Sequence, residues 1–183
     1  MRRLFFLFLL VLFANSIFSQ SVVNKTINWI PFEQALAKSK QDGKPVFLDI
    51  YTDWCGYCKR MDATTFQDTS VIRYVNQHFH AAKLNAETTK PISFRDTIYT
   101  NSRYVEGQRA TPHDVVMVLT GNRPSYPTIV YILDSKGIIA PVPGMQTVET
   151  IQPFLFYFGE KVYETTNLWE AFNKGLTAPK FNR

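Results

Sequence analysis

The chain has 183 residues, room for one globular domain with a short appendage. Hydrophobic residues make up 45% and charged residues 19%, which excludes a disordered or collagen-like chain. The formal charge is +5, and without Arg2 and Arg3 it is 18 basic against 15 acidic residues, too even a balance to argue for nucleic acid or an acidic membrane surface.

Residues 1–20 have the parts of a secretory signal: Arg2 and Arg3, an unbroken apolar run from Leu4 to Phe13, then small or polar Ala14, Asn15, Ser16 and Ser19. Ten helical residues reach ~15 Å, half of a ~30 Å bilayer core. A removed signal is therefore expected rather than an anchor. The mature chain is expected to be periplasmic or secreted, with no stable membrane insertion, in a setting where disulfides persist.

A domain over 21–163 is expected to follow, with an insert at 86–124 and a C-terminal extension at 164–183 packed back through Leu168, Trp169 and Phe172. Pro31 suits a first helical turn; Phe32, Ala35, Leu36 and Ser39 share a face, and Gly43 ends the helix. Pro45–Thr52 is apolar on both faces, as a central strand is. Cys55–Phe66 and Asp68–Phe79 read as helices, and His80–Asn85 as a second strand. A short helix is expected near His113–Leu119. Thr128–Leu133 and Ile138–Val142 form a hairpin across the Asp134–Gly137 turn. Thr147–Tyr163 is a helix with a break or kink at Pro153, and Asn167–Lys174 a last short one. This order gives an α/β class with a central mixed sheet flanked by helices.

The informative stretch is Asp49-Ile-Tyr-Thr-Asp-Trp54-Cys55-Gly56-Tyr57-Cys58-Lys59. Structural zinc needs four ligands, and beyond these two cysteines only His78, His80 and His113 remain to supply soft ones. Covalent haem wants histidine after the second cysteine, where Lys59 stands. No metal and no cofactor are expected. A dithiol at a strand-to-helix junction is left. Unpaired N–H groups of the first turn and the helix dipole favour a negative sulfur at Cys55. Cys58, one turn on, can resolve a mixed disulfide. A structural bridge that never turns over is the alternative, although so short a loop gains little from closure.

These residues resemble the active site of the thioredoxin superfamily, especially secreted thioredoxin-like domains and the C-terminal periplasmic domain of the thiol:disulfide interchange protein. Asp49 matches that family's buried acid, Lys83 the lysine beside it, and Tyr126-Pro127 the loop whose proline is cis and faces the sulfurs. Val142-Pro-Gly144 matches the glycine after the hairpin. The resemblance implies a thioredoxin fold with a helical insert before the cis-proline strand. It implies thiol–disulfide exchange with catalytic Cys55, Cys58 and Asp49, Lys83 in support, and Trp54, Gly56, Tyr57, Tyr126 and Pro127 contacting substrate.

Expected partners are protein thiols and disulfides and a redox partner protein, soluble or membrane-bound. A reductase is the first expectation. An isomerase or oxidase, and a binding module with a structural disulfide, stay open. Three features depart from the pattern, one of them the extension at 164–183, which runs past the fold's usual end. Gly56-Tyr57 replaces the Gly-Pro of strongly reducing members. The insert is long, and its Tyr99, Tyr104 and His113 are candidates to line a substrate groove; a packed helical insert is equally open.

Overall fold

Alternation along one strand explains the two-sided core. The computed structural model describes residues 25–107 and 111–175, so the expected leader at 1–20 lies outside the described residues. In β1 (Val46–Tyr51), Phe47 joins the apolar cluster on one side of the sheet, while Val46, Leu48 and Ile50 join the cluster on the other. Side chains of a strand point to opposite faces in turn, so Asp49 shares the face of Phe47.

β1 runs parallel to β2 (His80–Asn85) and antiparallel to β5 (Thr128–Leu133), which pairs antiparallel with β6 (Ile138–Pro143). The order β2-β1-β5-β6 makes β1 and β5 central. All six residues of β5 are buried, as a strand covered on both faces demands.

The Phe47 face is covered by α2 (Gly56–Ala63), α3 (Thr69–His78) and α5 (Val148–Gly159), through Met61, Val71, Ile72, Val75, Ile151 and Leu155. Aromatic rings fill it. Tyr131 stacks on Phe158 at 4.4 Å, and Phe47 meets Phe66, Phe79 and Tyr131 edge-on at 5.7–6.0 Å. The opposite face is covered by α1 (Phe32–Asp42) and α4 (Asp114–Leu119).

Helix ends follow the residues that cap them. Gly43 adopts a left-handed φ of 72° after α1, a backbone that favours glycine. Asp68 starts α3, its carboxylate accepting the N–H groups of Ser70 and Val71 at 2.9 and 3.2 Å. Asp68→Ala is expected to cost about 1 kcal/mol of stability, read as a lower urea midpoint with unchanged slope.

Element boundaries and the make-up of the insert differ from expectation. The expected helix from Cys55 to Phe66 divides: α2 ends at Ala63, Thr64 leaves helical geometry, and a tight turn covers Thr65–Gln67. Pro153 does not break α5, which runs through it. One missing donor is tolerated, and the helix stops instead before Lys161, whose φ is 57°. The insert is not purely helical. It carries a ribbon of β3 (Ile92–Phe94) and β4 (Thr97–Tyr99), turned by Arg95 and Asp96 at φ 51° and 58°.

The described part of the insert is also core. Ile92, Phe94, Val115, Val116 and Leu119 bury themselves against Val46, Leu48 and Ile50. In the extension, α6 (Leu168–Asn173) packs through Leu168 and Ala171, and Phe172 meets Phe154 at 5.4 Å. Trp169, expected to pack, is 77% exposed, because it lies across the helix from Ala171 and Leu168 faces the core without it.

Candidate active site

The site lies at the carboxyl end of β1, where the strand gives way to α2. Thr52 accepts the Cys55 N–H at 3.1 Å and closes the turn. Cys55 is the residue before the first turn of α2, with extended backbone, and its sulfur accepts the N–H of Cys58 at 3.1 Å. That N–H is one the helix cannot satisfy internally. Because the helix offers an unpaired donor and the positive end of its dipole here, charge on the Cys55 sulfur is favoured. Cys55 and Cys58 are joined as a disulfide, their Cα atoms 5.3 Å apart.

Both cysteines are almost buried, at 4% and 3% exposure, while their neighbours Trp54 and Tyr57 are 62% and 64% exposed. Gly56 is exposed as well. A substrate therefore meets an aromatic rim before it meets sulfur.

Asp49 is buried on the α2 side of β1. The register sets Lys83 directly across from it, and the Lys83 ammonium donates to Asp49 Oδ2 at 2.8 Å. The second oxygen, Oδ1, has no partner among the described residues. Burial lifts the Asp49 carboxyl to about 6, Asp62 adds to the rise, and Lys83 opposes it. A carboxyl poised there can hold or release a proton near neutral pH.

Sequence reading missed Asp62. It stands one helical turn after Cys58, and Lys83 donates to its Oδ1 at 2.5 Å, so one ammonium is shared by two carboxylates. Burial alone would lower the Lys83 pKa, but the two acids outweigh burial and raise it. The i, i+4 spacing from Cys58 was the available signal.

Opposite the dithiol loop, the Tyr126–Pro127 bond is cis. Pro127 is buried, and its carbonyl accepts the N–H of Gly144, whose φ is 89°. Pairing of Ile50 with Thr128 brings this loop to the Cys55 end of the sheet. The Tyr126 ring stands edge-on to Trp54 at 5.9 Å. Trp54 Nε1–H donates to Glu87 Oε1 at 2.9 Å, a partner that sequence reading did not identify.

The insert residues expected at a groove divide. Tyr104 is exposed, and Tyr99 packs half-buried against the second core cluster. His113 lines no groove. It is fully buried and caps α4, its Nδ1 accepting the Val115 N–H at 3.2 Å. Burial lowers its pKa, against the Lys90 backbone and Asp114.

A four-stranded mixed sheet, a dithiol at a helix start, a buried acid and a cis-proline loop at the same sheet end define a thioredoxin-fold protein of the thiol–disulfide oxidoreductase class. The model of the Thioredox_DsbH family, described as a protein of unknown function, DUF255, matches residues 10–150, and the chain belongs to that family.

The thiol:disulfide interchange protein DsbD of Pseudoalteromonas atlantica is 38% identical over 66 residues, 36% of this chain and 11% of that protein. DsbD of Vibrio vulnificus is 47% identical over 45 residues, 25% of this chain and 8% of that protein. The chain thus spans a small fraction of the length of these curated relatives. A thioredoxin-fold protein from Helicobacter pylori superposes with a TM-score of 0.53 at 21% identity, covering 73% of this chain and 80% of that one, a likeness of fold. Among the described residues, no helix is long and apolar enough to cross a membrane.

Proposed function

We propose that this chain reduces protein disulfides in the periplasm or outside the cell. The observation that carries the reading is the Cys58 N–H held 3.1 Å from the Cys55 sulfur at the start of α2, which favours the thiolate as attacking group. In the proposed cycle, the Cys55 thiolate attacks one sulfur of a substrate disulfide. That S–S bond breaks, Cys55 bonds to the attacked sulfur, and the other substrate sulfur leaves as thiolate.

Cys58 then gives its proton to the Asp49 carboxylate and attacks Cys55. The mixed disulfide breaks, the second substrate thiolate leaves, and the Cys55–Cys58 bond forms. The substrate gains two electrons and the protein loses two. A dithiol redox partner must return them. Lys83 tunes Asp49 in this scheme. Trp54, Gly56, Tyr57, Tyr126 and Pro127 form the surface on which an extended substrate chain lies, its backbone pairing beside Tyr126. The leader pattern of residues 1–20 supports the location, and the likeness to the thiol:disulfide interchange protein supports disulfide exchange, with reduction as our choice of direction.

Trapping tests the cycle. Cys58→Ala removes the resolving thiol, so mixed disulfides through Cys55 should accumulate with a pool of oxidised proteins and release on adding dithiothreitol. Absence of any such adduct, with Cys55 reduced and the protein folded, would contradict the cycle.

A further inference from the structure

We propose that Glu87, in the insert, is a positioning residue that fixes the substrate-facing rim by holding the Trp54 ring against Tyr126. The inference rests on the reductase reading above and extends it to what separates a protein substrate from a small disulfide.

Trp54 is too exposed to be held by packing. Among the described residues its ring has one hydrogen bond, to Glu87, and one ring contact, with Tyr126 at 5.9 Å and 81°. Glu87 itself is firmly placed. Its N–H donates to Asn85 Oδ1 at 2.9 Å, and Asn85 Nδ2 donates to Asp53 Oδ2 at 2.9 Å. The preceding Ala86 is fastened on both sides, its N–H to the Tyr51 carbonyl at 2.8 Å and its carbonyl to the His113 N–H at 2.7 Å. The loop after β2 is therefore laced to the loop that carries Trp54 and Cys55.

Glu87 also bears on the third element of the rim. The Tyr126 hydroxyl is buried and has no partner among the described residues. Burial lifts that phenol to about 12, and the Glu87 charge adds to the rise. One carboxylate thus stands between the dithiol loop and the cis-proline loop.

The sulfurs are nearly covered, so a protein chain must lie across Trp54 and Tyr57 to present its disulfide. A small disulfide has no chain to lay there. Orientation of Trp54 should then count for the first and little for the second.

The test compares reduction of insulin with reduction of bis(2-hydroxyethyl) disulfide, which carries no peptide chain, by the full chain. Glu87→Ala should lower the ratio of the two kcat/KM values on the order of tenfold, mainly through the KM for insulin, as expected for one lost contact of about 1.4 kcal/mol. Glu87→Gln keeps an acceptor oxygen and should retain most of the ratio. The Trp54 indole N–H signal, identified by its loss in Trp54→Phe, should shift and exchange faster in Glu87→Ala but not in Glu87→Gln. If Glu87→Ala does not fold, Trp54→Phe removes the donor, keeps a ring and carries the same expected fall in ratio. Glu87→Gln as impaired as Glu87→Ala, or a ratio within about twofold of wild type in an active Glu87→Ala protein, would overturn this inference alone. Wild-type protein inert toward both substrates would overturn the reductase reading and this inference with it.

Discussion

Cys55→Ser is expected to lower the proposed disulfide reduction by on the order of 10³-fold or more, because the thiol that would make the first attack is gone. A hydroxyl at position 55 would meet the same Cys58 N–H but could not ionise near neutral pH. Cys58→Ala has a different signature: the first attack survives and turnover stops at the mixed disulfide. The two variants together assign the order of the sulfurs, which a shared loss of activity would not. Quantitative alkylation of the reduced wild-type protein adds an independent check. Cys55 should react first, since its sulfur receives the helix N–H.

Asp49→Asn is expected to make the protein more stable and slower. Asp49 is buried beside Lys83, and its carboxyl is raised from 3.8 to about 6. Between those values the unfolded chain has released the proton while the native protein still holds it. The native state binds more protons there, so stability falls as pH rises from about 4 to about 6 and stays lower above. A gap of roughly two units at ~1.4 kcal/mol each puts the net cost of ionisation at about 3 kcal/mol, the opposing pull of Lys83 being already contained in the value of about 6. Asparagine has no such cost, but it leaves the Lys83 ammonium with Asp62 as its remaining carboxylate, so a gain of about 2 kcal/mol at pH 7 is expected in urea unfolding.

Turnover should move the other way, down on the order of 10²-fold, because the proton of Cys58 loses its acceptor. In wild type the resolving step should slow as pH drops below about 6. That limb should vanish in Asp49→Asn. A variant both more stable and fully active would remove Asp49 from the mechanism.

Much of the architecture was readable because burial periodicity is written in the strands. Pro45–Thr52 reads apolar on both faces and is a central strand, Val46–Tyr51. The hairpin was legible from Asp134–Gly137, where Gly137 takes a φ of 68°. The β3–β4 ribbon was not. Its strands have three residues each, too short for an alternation, and its turn uses Arg95 and Asp96 rather than glycine.

The site divides in the same way. Asp49, Cys55, Cys58, Lys83 and Pro127 stand in a recognisable order along the chain. Asp62 and Glu87 reach the site through hydrogen bonds to Lys83 and Trp54, residues 21 and 33 positions away, and nothing in their local sequence marks those partners. His113 is a groove candidate in the sequence because the long insert that carries it ends at the cis-proline loop. Its ring instead caps a short helix inside the core.

The Cys55–Cys58 bond is expected to turn over rather than staple a turn. Equilibrating the protein with glutathione and dithiothreitol buffers and quantifying its reduced fraction gives the potential of the pair. A helix start that favours the Cys55 thiolate stabilises the reduced form, so the potential is expected above about −300 mV. A value well below that, where the bridge resists the glutathione pool, would mark a structural disulfide and contradict the account.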